Sequence, residues 1–322
     1  MMDWDKLFQW NRLFAPTGEE AAAGKSIFNM LQSDGYSVEV DNTNTVLAKL
    51  GGKGERVLIC VPYDQKGMLI TGKYQQGGYY LNQIGRWDAT DLKDEPGIAT
   101  GGAAVAIHVH KDAENYKAPY NLELNYTDGR CGTDMIGNKV VFPAPEKEIL
   151  ENGSHLFSVS MLDNRAACFA VDAFLEQVRS DRLNVELYVA FLALDTCCFR
   201  GIESLAQRLH PDWAIEISCR DDDAWERGAL VVNHIGTKYL SDPLLVRRAI
   251  KEAERMEIPL EHRFKRPPAA SDALTCADSL IPFGCRTLSL SLPVWQKNWR
   301  AGYVNGQSME KMASLLRQLV MN

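Results

Sequence analysis

Phe157-Ser158-Val159-Ser160-Met161-Leu162-Asp163-Asn164-Arg165 is the stretch on which the fold turns. An apolar segment runs into an acidic-polar-basic cluster. The cluster opens a helix whose apolar run, Ala166 to Leu175, predicts entry into a core. On the N-terminal side, Val57-Leu58-Ile59-Cys60-Val61-Pro62-Tyr63-Asp64 is nearly all apolar, which suits a central strand buried on both faces. It ends near an aspartate. On the C-terminal side, Leu187-Tyr188-Val189-Ala190-Phe191-Leu192-Ala193-Leu194-Asp195 has the same form. Open α/β sheets keep their chemistry at such strand ends. The chain nevertheless lacks the histidines and additional acids that would complete a site there.

Outward from these strands the pattern alternates. Residues 4–13 predict a short helix, with Trp4, Leu7, Phe8 and Leu13 apolar. Thr17-Gly18-Glu19-Glu20 reads as the start of a second helix that runs to about Asp34. Strands follow at 37–40 and 45–50. From 156 onward, helices are expected at 164–179, 201–208, 243–256 and 308–319. Strands are expected at 186–194, 213–218 and 228–234, and a further one, Thr287 to Leu292, is closed by Pro293. Residues 73–154 differ: they are rich in Gly, Tyr and Asn, with short alternating stretches at 104–109, 121–125 and 139–142. The reading is an α/β protein: a three-layer α/β/α domain formed by 1–70 and 155–322, with a small β-barrel-like domain, 71–154, inserted into it.

A length of 322 residues suits two domains. The net charge of -7 argues against a general nucleic-acid surface. No apolar run approaches the ~20 residues of a membrane span. The first residues are acidic where a signal peptide would be basic, so a cytoplasmic protein is expected. The eight cysteines are dispersed and read as buried free thiols. Adjacent Cys197 and Cys198 do not form a Cys-x-x-Cys pair, and a catalytic thiol there lacks a histidine close in sequence. His108 and His110 share one strand face with no acidic neighbour evident, and read as a solvated face. His234 reads as a structural hydrogen-bonding residue. Arg220-Asp221-Asp222-Asp223 lacks calcium-loop spacing, and Thr100-Gly101-Gly102-Ala103 lacks a Walker pattern.

Leu162-Asp163-Asn164-Arg165, Phe199-Arg200-Gly201, Ser271-Asp272-Ala273 and Gly137-Asn138-Lys139-Val140-Val141-Phe142 together give the chain a resemblance. It resembles the glutamyl-aminopeptidase, cellulase-M-like and deblocking-aminopeptidase family. That resemblance implies a peptidase-like fold, two cocatalytic zinc or cobalt ions, peptide substrates and tetrahedral cages. A homo-oligomer is therefore expected, a dodecamer or a dimeric building block of one. Where the family's first metal segment has His-x-Asp-Glu-x-Gly, this chain has Pro62-Tyr63-Asp64-Gln65-Lys66-Gly67. Pro62 stands at the histidine ligand, and Asp64 keeps the orienting position. Asp163 keeps the bridging ligand. The family's Glu-Glu pair is Asp195-Thr196, so Asp195 replaces the general base one methylene short and Thr196 replaces a carboxylate ligand. Ser218 stands at the next aspartate and Asn298 at the last histidine.

Asp163 is thus the one retained ligand position among five, and Asp64 and Asp195 are the candidate catalytic residues. Neutral side chains do not hold two dications, so no metal cofactor is expected. The expectation is a divergent family member without two-metal peptidase activity, with a peptide-binding or assembly role. The alternative is an active zinc or cobalt aminopeptidase with a rearranged site. Asp64, Asp163 and Asp195 can also be read as an acid-base group or as a residual constellation that Arg165 and Arg200 neutralise.

Overall fold

The computed structural model describes residues 3–73, 78–85, 95–109, 122–129, 132–143, 148–150, 156–159, 164–198, 200–236, 239–264, 276–297 and 301–321. Helix α1 (Trp4–Arg12) is capped by Asp3, whose carboxylate accepts from the Asp5 N–H at 3.0 Å. Helix α2 (Ala21–Ser33) leads to strands β1 (Ser37–Val40), β2 (Val46–Gly51) and β3 (Arg56–Pro62). Next come β4 (Gly67–Lys73), β5 (Tyr79–Ile84), β6 (Glu95–Ala99), β7 (Ala103–Val109), β8 (Leu122–Tyr126) and β9 (Lys139–Val141). Then follow β10 (Glu148–Leu150), β11 (Leu156–Val159), α3 (Arg165–Val178), β12 (Glu186–Leu192), α4 (Asp195–Cys198), α5 (Arg200–Leu209) and β13 (Trp213–Asp221). The chain ends through β14 (Leu230–Asn233), α6 (Pro243–Arg255), β15 (Leu260–Arg263), α7 (Cys276–Leu280), β16 (Arg286–Lys297), β17 (Ala301–Asn305) and α8 (Gly306–Met321).

The main sheet runs in the order β1-β2-β12-β3-β13-β16-β17-β11-β10, with β14 and β15 branching from β16. Its centre is parallel: β3 lies between β12 and β13. The period of two in the apolar runs builds a core on each face. Val57, Ile59 and Val61 of β3, with Leu187, Val189 and Phe191 of β12, pack with α3 and α8. Leu58 and Cys60, with Tyr188, Ala190 and Leu192, face the other way, toward Ile202 and Leu205 of α5 and Leu280 of α7. This gives the α/β/α layering. Strands β4-β5-β8-β7-β6-β9 close into a separate barrel with its own core, including Met68, Tyr79, Leu124 and Phe142. After the barrel, β10 pairs with β11 at the edge of the main sheet.

One expected boundary is corrected. Pro293 does not close its strand; β16 continues to Lys297. Parallel pairing with β13 runs through Arg220↔Pro293. On the opposite side, β14 pairs up to Ser291 and β17 takes over at Val294. Pro293 lies at the gap between these two partners, where its missing N–H disrupts no ladder. Short strands β15 and β17 carry too few residues to show a period in sequence.

Candidate active site

The fold places the two described candidate acids at adjacent strand ends. β3 and β12 are parallel, with Pro62 opposite Leu192, and the Tyr63 N–H donates to the Leu192 carbonyl at 2.9 Å. Asp64 therefore follows one strand and Asp195 follows its neighbour. Both are buried, at 2% and 8% exposure. A hydrogen bond links the two strand ends: Asp64 Oδ2 accepts from the N–H of Thr196, the residue after Asp195, at 3.0 Å. The same oxygen accepts from Thr17 Oγ1 at 2.8 Å. Among the described residues, Asp64 Oδ1 has no hydrogen-bond partner. Burial raises the Asp64 carboxyl above the usual range, opposed by the Thr196 N–H, the Thr17 and Thr196 hydroxyls and the Arg165 charge. The aspartate that the family resemblance assigns to orienting a metal ligand thus ties the N-terminal segment to the end of β12.

A second carboxylate joins this tie. Glu20, 1% exposed, accepts from the N–H groups of Gly18 at 2.9 Å and Leu194 at 3.1 Å. Burial raises its pKa, and neighbouring Asp64 adds to the rise. Leu194 has a φ of 55°, a left-handed conformation that costs a branched side chain on the order of 1–3 kcal/mol. The bond from its N–H to Glu20 helps hold that turn. Sequence reasoning placed Glu20 in a helix cap and missed this role. Leu194 is distant in sequence, so no local signal exposed that bond.

Arg165 enters from the first turn of α3 and is fully buried, with one guanidinium nitrogen donating to the Leu13 carbonyl at 2.9 Å. The preceding Asn164 adopts a φ of 69°, which asparagine tolerates better than most residues. Its side-chain oxygen accepts from the Cys219 N–H at 3.1 Å, tying the start of α3 to β13. Ser218, on β13, shares a hydrogen bond with Ser291 at 3.2 Å. The Pro62 carbonyl accepts from the Cys168 thiol at 3.2 Å. The barrel closes over this end of the sheet through Gly85: a Cβ there would fall 2.7 Å from Thr196 Cγ2 and 2.8 Å from Lys66 Cγ. Asp163, Asn298 and Ser271 to Ala273 lie outside the described residues.

The other sequence candidates resolve into structural pairs. His108 has an acidic neighbour after all: its Nε2 lies 2.8 Å from a carboxylate oxygen of buried Glu123. The two are cross-strand partners of β7 and β8, a relation visible only once the strands pair. His110 is outside the described residues. His234 Nε2 meets His262 Nδ1 at 2.8 Å, and its ring stacks on Phe264 with centroids 4.2 Å apart. Burial and His262 lower its pKa. Asp222 forms a bidentate pair with Arg263, at 2.7 and 2.5 Å. Among the described residues, no group of three or more His, Cys, Asp or Glu is arranged to hold a metal ion, and no helix is long and apolar enough to cross a membrane.

Residues 44–315 match the model of the M42 glutamyl aminopeptidase family. Two curated relatives, from Acetivibrio thermocellus ("Putative aminopeptidase") and Escherichia coli K12 ("Putative aminopeptidase FrvX"), are each 22% identical across 66% of this chain. The matched region spans 65% and 63% of those relatives' own lengths. Among solved structures, a TET aminopeptidase from Thaumarchaeota archaeon SCGC AB-539-E09 superposes with a TM-score of 0.86 at 15% identity, covering 99% of this chain and 96% of the other. The Pyrococcus horikoshii TET1 peptidase, described as assembling into a tetrahedron or a large octahedral shell, gives 0.82 at 20% identity over 99% of both chains. At these identities the superpositions establish the fold.

Proposed function

The chain belongs to the M42 glutamyl aminopeptidase family, and we propose that it has lost that family's two-metal hydrolysis and acts as a peptide-binding member in a homo-oligomer. The observation that carries this reading is the use made of Asp64. One oxygen of its carboxylate is committed to Thr17 and to the Thr196 N–H. The residue it would orient, Pro62, has no donor side chain.

The chemistry of the remaining donor set points the same way. Thr196 and Ser218 are neutral hydroxyls at carboxylate positions, and Asn298 is an amide at a histidine position. Zinc-class ions require imidazole, thiolate or carboxylate donors in a fixed array, so these residues do not fit two such ions. Such an ion would lower the pKa of an attacking water and polarise the scissile carbonyl. Asp195, buried at the end of β12, is the side chain left at the general-base position, one methylene shorter than a glutamate. The assemblies described for the TET1 neighbours, a dodecamer among them, motivate the homo-oligomer.

The test is an aminopeptidase panel on the purified chain with zinc, cobalt or manganese added in turn, beside light scattering. The expected outcome is no turnover above the metal-only control and a mass above that of one chain. Metal-dependent release of N-terminal residues, abolished by Asp163→Asn, would instead establish an active enzyme with a rearranged site. Monomer alone at micromolar concentration would remove the assembly part.

A further inference from the structure

A cavity of about 880 Å³ lies between the N-terminal segment and the barrel, with Gln65 on its wall next to Asp64 in sequence. Its volume lies within the roughly 300–1,000 Å³ of small-ligand sites. Phe8, Phe14, Ile98 and Phe142 make it predominantly apolar.

Two polar features interrupt that wall. First, α2 begins at this cavity. Ala21 and Ala22 line it, and Glu20 makes no side-chain cap because its carboxylate bonds to the Gly18 and Leu194 N–H groups. An uncapped helix start of this kind favours a carboxylate. Second, the cavity carries one charge of each sign. Arg12 has no ion pair among the described residues, and Glu19 has one carboxylate oxygen bonded to Thr100 at 2.6 Å.

We propose that this cavity binds an apolar dipeptide or tripeptide with free termini. The ligand's carboxylate goes to Arg12 and the α2 start, its ammonium to Glu19, and its side chains to the apolar wall. The inference rests on the peptide-binding reading and adds where the peptide sits and what its ends must be.

The test is calorimetric titration of the intact chain with phenylalanyl-leucine and with the same dipeptide acetylated and amidated, its integrity followed by chromatography. Ala22 is exposed on α2, so Ala22→Trp fills the cavity from a surface position. Thermal unfolding of each variant verifies its fold, and Ala21→Trp serves if Ala22→Trp is unstable. The expected result is binding of uncleaved free dipeptide, weakened at least about tenfold by Ala22→Trp, a loss of about 1.4 kcal/mol. Arg12→Gln and Glu19→Gln should each weaken the free dipeptide several-fold and leave the capped one unchanged. Binding that is indifferent to Ala22→Trp would overturn this site while leaving peptide binding intact. Absence of any binding would overturn both. Equal affinity for free and capped dipeptides would overturn the assignment of the termini.

Discussion

Asp172→Asn should stabilise the protein near neutral pH and have little effect in mild acid. Asp172 lies on the buried face of α3 at 1% exposure. Its Oδ2 accepts from the Trp10 indole N–H at 3.3 Å and lies 3.9 Å from Lys6 Nζ, while its Oδ1 has no hydrogen-bond partner among the described residues. Burial dominates these attractions and pushes its pKa from 3.8 up to about 6. A carboxyl whose pKa is raised by folding favours the native state below its unfolded pKa. That advantage is lost as pH rises through the folded value. Two units at about 1.4 kcal/mol each give a penalty of roughly 3 kcal/mol at pH 7, falling below about 1 kcal/mol at pH 4. Asparagine mimics the protonated acid in shape and keeps an acceptor for Trp10. Lys6 retains Glu176 and Asp34 as partners. Urea unfolding of both proteins at pH 4, 5, 6 and 7 should therefore show a gap that widens with pH in favour of the variant. A pH-independent gap, or a variant less stable at pH 7, would refute the assignment of burial as the dominant cause.

Asn164→Ala should destabilise by about 1–3 kcal/mol, because it removes the bond to the Cys219 N–H and places alanine at a φ of 69°; urea midpoints measure this, and Asn164→Gly should recover part of the loss. Gly201→Ala should cost about 1–3 kcal/mol, since the new Cβ would fall 2.5 Å from Thr45 Oγ1 and 2.6 Å from the Ala193 carbonyl oxygen. A melting temperature unchanged by that substitution would show that α5 can shift away from the β12 end at no cost.

The sheet centre was legible because β3 and β12 are buried on both faces, which leaves continuous apolar runs ending on Asp64 and Asp195. The strand-end placement of those acids followed from the same runs. Pro293 misled because a proline is read as a terminator. Only the pairing on both sides of β16 shows that it sits between two antiparallel partners. The tie through Thr17, Glu20 and Asp64 was illegible because Thr17 and Glu20 meet Asp64 and the end of β12 only when the N-terminal segment folds across the sheet. His108 and Glu123 were missed for the same reason: a cross-strand neighbour has no fixed sequence spacing. The cavity had no signature either, since its walls come from α1, α2 and the barrel, which meet only in the folded chain.

The central claim is that the substituted positions, Pro62, Thr196, Ser218 and Asn298, leave this family member unable to hold the paired metal ions. Elemental analysis of protein purified without chelator and equilibrated with zinc or cobalt tests it most directly. The predicted result is far less than one tightly bound equivalent per chain, with Asp163→Asn making no difference. Close to two tightly bound equivalents per chain, lost on Asp163→Asn, would contradict it.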